Sequence, residues 1–409
     1  MRFFTFLRQN ALWLGAGGLL TFLSSFGQTF FISIFAGEIR NEFSLSHGAW
    51  GGLYTLGTGV SAVVMVWAGG LTDRFRVRFL GPVILVGLAF ACVLMAINPF
   101  VWMLPIVIFL LRFFGQGMTS HIAVVAMSRW FIAMRGRALA IATLGYSLGE
   151  AILPIIFVAL MVYVDWHNLW LVAAGICLLG IPLLITALRQ ERTPQSMTQS
   201  DASLGMNNRH WTRNEAIRHP LFWFMVPALL GPSAFGTALF FHQVHLAEIK
   251  GMEHVQFVAL FPFYTAMGIL SMILSGWALD RFGTARLMPF IQLPMALSFI
   301  AFAYATGSFT ALLGFLFFAM TTGAHATMSN AFWAEFYGTA HIGSIKAMAA
   351  AVMVLGSAIG PGVTGLAIDL GIGLETQFLW VALYFLLTTL SMKVGIGRAK
   401  PNLPVSARV

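Results

Sequence analysis

The sequence predicts an all-α membrane protein: twelve transmembrane helices in two pseudo-symmetric six-helix bundles. Three observations predict it. The 409 residues have a mean hydropathy of +0.85, and only 9% of them are charged, where a soluble domain carries roughly 25%. Twelve runs are long and apolar enough to cross a bilayer, which takes about 20 residues. The chain also repeats itself. Gly69-Gly-Leu-Thr-Asp73-Arg74-Phe75 has a partner in Gly276-Trp-Ala-Leu-Asp280-Arg281-Phe282, and the offset is 207 residues. Gly136 and Pro154 flank one apolar run and Gly343 and Pro361 another, at the same offset of 207. Two unrelated landmarks sharing one offset mark two divergent halves.

In chain order the expected spans are 12–36, 48–70, 79–97, 101–123, 136–161, 167–188, 221–246, 255–278, 286–305, 309–332, 343–368 and 374–395. The runs are too long for barrel strands, and they lack the alternating polarity a barrel needs. Three regions follow: a first bundle over 1–188, a cytoplasmic linker over 189–219, and a second bundle over 220–409. Arg2 and Arg8 precede the first run without a small-residue cleavage site, so that run is expected to be retained as a span.

Orientation follows from Lys and Arg. With the N-terminus in the cytoplasm, the inner loops hold Arg74, Arg76, Arg78, Arg129, Arg135, Arg137, Arg281, Arg286 and Lys346, whereas the outer loops hold only Arg40 and Lys250. Both termini are therefore expected in the cytoplasm, and the setting is expected to be a bacterial inner membrane. The net charge of +9 is a topology signal, which argues against a nucleic-acid partner.

Within the linker, Gln195 to Asn208 is too polar to build a core. Thr212 and Glu215 have capping-box spacing and predict a short helix along the membrane surface, ended by Pro220. Trp13, Trp50, Trp102, Trp166, Trp170, Trp223 and Trp380 fall near span ends, as an interfacial belt would. Gly145-xxx-Gly149 and Gly356-xxx-Gly360 allow close helix approach.

Ionisable residues inside spans are costly and are functional candidates by default. Arg112 in span four and Glu150 in span five each lie about eleven residues from the outer side, roughly 17 Å deep at 1.5 Å per residue. Equal depth predicts that they pair, either as a binding and proton-coupling site or as a structural ion pair. His242, His245, His121 and His325 are candidates for a direct role or for packing. They sit on different helices and at different depths, so no metal site is expected. Cys92 and Cys177 lie inside apolar runs, away from any disulfide or metal spacing. No phosphate-binding Gly-x-x-x-x-Gly-Lys-Ser/Thr loop occurs and no nucleophile–base set gathers at one depth, which argues against an ATP-driven pump, an enzyme and any cofactor.

Twelve spans in two halves, with Gly-x-x-x-Asp-Arg-Phe after spans two and eight, resemble the major facilitator superfamily. Arg112-Phe-Phe-Gly115-Gln116-Gly117 is similar to that family's span-four motif. A narrower likeness is to monocarboxylate and oxalate/formate transporters. It rests on Trp130-Phe131 with Arg137-Ala-Leu139-Ala140 before Gly145, on Trp211-Thr212-x-x-Glu215-Ala216-x-Arg218-x-Pro220-x-Phe222-Trp223, and on Gly343-Ser-Ile-Lys346 through Gly360-Pro361. Span eight departs from that branch, holding no Arg or Lys over 255–278.

The resemblance implies alternating access, with spans one, four, seven and ten lining a cavity. On that basis Arg112, Gln28, Tyr54, Tyr146, Tyr264, His242, His325 and Asn330 are substrate-binding candidates. Glu150 with Arg112 would couple protons. Asp73, Arg74, Arg137, Asp280 and Arg281 would gate, with Asp73 near the start of span eleven and Asp280 near the start of span five. The function expected is proton-linked transport of a small organic anion, a monocarboxylate, by a monomer in the lipid bilayer. The alternative is a drug/proton antiporter exporting lipophilic compounds. The inside-positive topology predicts that single cysteines placed at positions 203 and 405 stay unlabelled when intact cells meet a membrane-impermeant thiol reagent. Labelling of either reverses the orientation.

Overall fold

The structure is a computed structural model that describes residues 3–131, 134–190 and 204–404. Among these residues all regular structure is helical. Eleven helices are long and apolar enough to cross a membrane, and a bent helix pair makes the twelfth span. Span one is that pair, Thr5–Gly27 and Thr29–Glu42, bent by 47°. Spans two to six are His47–Arg74, Val77–Ile97, Val101–Trp130, Gly136–Met161 and Trp166–Ala187. Spans seven to twelve are Pro220–Phe241, His254–Phe282, Thr284–Ala303, Ser308–Tyr337, Ile342–Asp369 and Leu374–Asn402. The chain forms two compact units, Met1–Thr198 with Phe240–Val244, and Gln199–Leu239 with His245–Val409.

The repeat is visible in the packing of each unit. Gly149 in span five and Gly356 in span eleven are 207 residues apart. A methyl group on Gly149 would lie 2.1 Å from Ser25 Oγ of span one, and one on Gly356 would lie 2.7 Å from the Leu230 carbonyl of span seven. Their motif partners are tighter still: a Cβ on Gly145 would sit 1.9 Å from the Gly18 carbonyl, and one on Gly360 2.1 Å from the Ala234 carbonyl. Both small-residue pairs are thus places where two backbones touch.

Span one is not the straight helix its composition suggests. Residues Ser24–Gly27 tighten into a 3₁₀ turn, and Gln28 is extended at φ −87°, ψ 153°. The cause lies on span four. A Cβ on Gly27 would stand 2.1 Å from the Leu111 carbonyl, and one on Gly115 would stand 2.5 Å from Gly27 Cα. The two spans cross glycine on glycine, and neither position admits a side chain. Span four responds by widening into a π-helix over Arg112–Thr119, where the Thr119 hydroxyl donates to the Phe114 carbonyl at 2.6 Å. Wide turns of this kind gather at functional sites.

The linker helix forms as Arg213–Arg218 with the expected capping box. The Thr212 N–H holds the Glu215 carboxyl below the usual carboxylate range. The helix is pinned to the second unit through Trp211, whose N–H donates to the Tyr337 carbonyl at 3.0 Å. Burial, and then the charge of Arg209, hold the His219 ring below the usual imidazole range. The expected polar stretch from Gln195 lies largely outside the described residues. The tryptophan belt is only partly one. Trp102, Trp223 and Trp380 are exposed, but Trp50, Trp166 and Trp170 are buried. Trp170 packs 5.4 Å from Phe31 and 5.0 Å from Phe35, and so serves as core.

Backbone contact makes Gly145 intolerant of any side chain, so Gly145→Ala should destabilise by about 1–3 kcal/mol through overpacking. Gly136→Ala, where nothing lies within 4 Å, should leave stability unchanged. Thermal unfolding of the purified proteins in detergent checks the contrast.

Candidate functional site

The site is built on the crossing of spans one and four. Arg112 starts the π-helical segment and is 2% exposed, among the most deeply buried large side chains. A guanidinium there needs protein acceptors, because hydrocarbon offers none. The break in span one supplies them: Nη1 donates to the Gly27 carbonyl at 3.2 Å and to Thr29 Oγ1 at 3.2 Å. Both of these bonds leave from one nitrogen, and Nε is buried without a partner among the described residues.

Thr29 passes the network on. Its hydroxyl lies 2.5 Å from the Tyr54 hydroxyl of span two, and the Arg112 guanidinium carbon stands 5.5 Å from the Tyr54 ring centre. Tyr54 is fully buried. Gln28 sits at the break, 8% exposed. Next to Thr29, Phe30 meets the Tyr146 ring of span five at 5.7 Å. The Tyr146 hydroxyl donates to Glu150 Oε1 at 3.2 Å, and Glu150 is 8% exposed. Spans one, two, four and five of the first unit thus bring together Gln28, Thr29, Tyr54, Arg112, Tyr146 and Glu150.

One expectation is corrected. Arg112 and Glu150 match in residue count from the outer side but do not share a hydrogen bond: the acceptors of Arg112 are Gly27 and Thr29, and Glu150 accepts from Tyr146. Depth places two groups at one height and leaves open which way each faces. Span one carries the acceptors because its helix is interrupted at that height.

The other candidates have neighbours of their own. Tyr264 and His325 belong to the second unit. Tyr264 packs 5.7 Å from each of Phe315 and Phe318. His325 bonds Ser329 one turn along the same helix at 3.1 Å. Asn330 is exposed and returns its amide to the Ala326 carbonyl of its own helix at 2.9 Å, which satisfies backbone. His242 follows the end of span seven and groups with the first unit, buried and 5.9 Å from the ring of His47.

At the loops, Asp73 pairs with Arg129 of span four, whose Nη1 also donates to the Thr72 carbonyl at 2.8 Å. The sequence marks Arg129 only as a topology charge. Arg74 and Arg137 are exposed. Asp280 and Arg281 end span eight, with Arg281 5.8 Å from the Trp277 ring. Lys250, a loop charge by sequence, is buried, and its ammonium donates to Glu375 and to the Ala303 carbonyl, both at 2.7 Å.

A family model described as the Major Facilitator Superfamily matches residues 17–396. The chain superimposes on the inward-facing, unoccupied structure of a bacterial homolog of the human lysosomal transporter Spinster. The TM-score is 0.72 at 15% identity, over 97% of this chain and 99% of that one. It superimposes equally on the nucleoside transporter NupG, with a TM-score of 0.72 at 14% identity, over 94% of this chain and 98% of that one. No curated protein sequence matches the chain.

Thr29 is the shared partner of Arg112 and Tyr54, so Thr29→Val should leave two buried groups each one bond short. A loss of about 1–3 kcal/mol is expected, and Thr29→Ser should restore most of it. Denaturation of the two variants in detergent reads the difference.

Proposed function

We propose that this chain, which belongs to the Major Facilitator Superfamily, is a proton-coupled secondary transporter that carries a small organic anion, a monocarboxylate, by alternating access. The observation that carries the reading is the Arg112 guanidinium, fixed in the membrane interior through Nη1 with Nε unpartnered. A guanidinium recognises a carboxylate with two parallel N–H donors. Anchoring one nitrogen to span one leaves the Nε side of the fork for such a ligand. Tyr54 and Gln28 lie on the same crossing and supply neutral hydrogen-bonding groups around it.

Glu150 takes the proton. A carboxyl group in a span is stable neutral and costly ionised, and the Tyr146 hydroxyl donates to it, which supports the ionised form. Burial favours the neutral form and the Tyr146 donor favours the ionised one, a balance suited to a group that changes protonation state. The anion on Arg112 and the proton on Glu150 together add no net charge to the first unit, which favours their crossing the membrane as a pair. The pair of Asp73 with Arg129 ties the loop after span two to the end of span four. That loop, with Arg74 and Arg137, and its repeat at Asp280 and Arg281, are assigned to gating. The monocarboxylate assignment also draws on the motifs shared with that branch of carriers.

Uptake by proteoliposomes tests the reading, using labelled monocarboxylates and cationic dyes with and without an imposed pH gradient. Carboxylate uptake should rise with the gradient. Arg112→Ala should lower it by about a hundredfold, as truncation of a buried charge contact does, while Glu150→Gln should abolish the response to the gradient. Full proton-driven accumulation by Glu150→Gln would remove Glu150 as the proton site. Dye movement in place of carboxylate uptake would assign the protein to lipophilic export.

A further inference from the structure

The second unit holds a cavity of about 450 Å³ far in sequence from the Arg112 network. That is within the range of about 300–1,000 Å³ typical of small-molecule sites. Spans eight, nine and ten line it, with Leu270, Leu274, Phe290, Pro294 and Met320 among the apolar residues. The only polar side chains in the lining are Ser271, whose hydroxyl is spent on the Met320 carbonyl at 2.7 Å, and Ser275. No charged residue lines it. Leu270, Leu274, Phe290 and Met320 are exposed, and on a membrane span an exposed apolar side chain meets hydrocarbon.

The dimensions narrow the occupant. From Met267 to Ala278 the lining runs eleven residues along span eight, about 16 Å at 1.5 Å per residue. Half of a hydrocarbon core of roughly 30 Å is about 15 Å. The crevice is as long as one leaflet is deep. At one end Ala278 and Leu287 border it, and the turn between them carries Arg281 and Arg286, both exposed. Asp280 is exposed on the same turn, and Glu335 of span ten accepts from the Thr284 hydroxyl there. A leaflet-deep apolar slot ending at two arginines matches a molecule with a long acyl chain and a phosphate at its head.

We propose that this crevice binds a glycerophospholipid, one acyl chain between spans eight and nine and the phosphate on Arg281 and Arg286. The site lies within the second unit and does not rest on the transport reading. The full-length protein, reconstituted in phosphatidylcholine nanodiscs with a trace of phosphatidylglycerol bearing a photoactivatable acyl chain, tests it by peptide mapping after irradiation. Labelling should concentrate on 267–278 and 287–294, roughly tenfold above the exposed Leu383–Leu390 face of span twelve. Filling the slot by Ala278→Trp, or more gently by Ser275→Leu, should remove that excess. Arg281→Ala with Arg286→Ala should cut it roughly tenfold at unchanged unfolding temperature. Equal labelling of the two faces, or labelling indifferent to both fillings, would overturn the site. Equal labelling by a photoactivatable diacylglycerol, or no effect of the arginine pair, would overturn the phosphate contact and with it the phospholipid assignment.

Discussion

A guanidinium at the middle of a membrane span has to be hydrogen-bonded by protein, since the surrounding hydrocarbon has no acceptor to give. Arg112 meets that demand at the expense of helix regularity. Placing an arginine at a span centre costs about 2.5–3.5 kcal/mol on insertion scales, and a hydrogen bond to a charged group returns about 1.5–3 kcal/mol. The two bonds from Nη1 to Gly27 and Thr29 are therefore of the size needed. They exist because span one is broken at Gln28, which turns a backbone carbonyl away from its own helix and toward span four. The 47° bend, the glycine crossing, the π-helical segment and the buried Tyr54 all meet around that one charge.

Much of this was legible in the sequence. Twelve apolar runs, the offset of 207 residues, the capping box at Thr212 and the isolation of Arg112 and Glu150 in apolar spans are local or periodic signals, and local signals survive into the fold. The break at Gln28 was not legible. Ser24-Ser25-Phe26-Gly27-Gln28-Thr29 contains no proline, and its cause is Gly115, distant in sequence and adjacent in space. The sequence offers Gln28 as a binding candidate, but nothing in it says that the neighbouring Thr29 accepts from Arg112. The Arg112–Glu150 pairing failed for a related reason. Residue counting measures depth along a helix, whereas pairing depends on rotation about it. Tryptophans near span ends divided in the same way: Trp102 faces outward while Trp170 is wrapped by Phe31 and Phe35.

The internal repeat shows where the two halves parted. At the offset of 207 residues, Arg112 corresponds to Ala319, Glu150 to Ser357, Tyr54 to Phe261, Tyr146 to Met353, Gln28 to Phe235 and Thr29 to Gly236. Every member of the polar network lacks its charge, hydroxyl or amide at the equivalent position, and Ser357 alone of the six is polar. The consequence is structural as well as chemical. With Ala319 in place of the guanidinium there is no charge to satisfy, and span seven runs helical from Pro220 to Phe241 through the positions equivalent to the break. The close approach of backbones is retained without its polar purpose, as Gly149 and Gly356 show. Packing glycines hold both six-helix units to one plan, while the Arg112 network has no counterpart at the equivalent positions of the second. The second unit carries a crevice lined by apolar side chains apart from Ser271 and Ser275. Symmetry of the scaffold thus coexists with divergence of its buried polar groups: the intramembrane guanidinium and its acceptors belong to the first half alone.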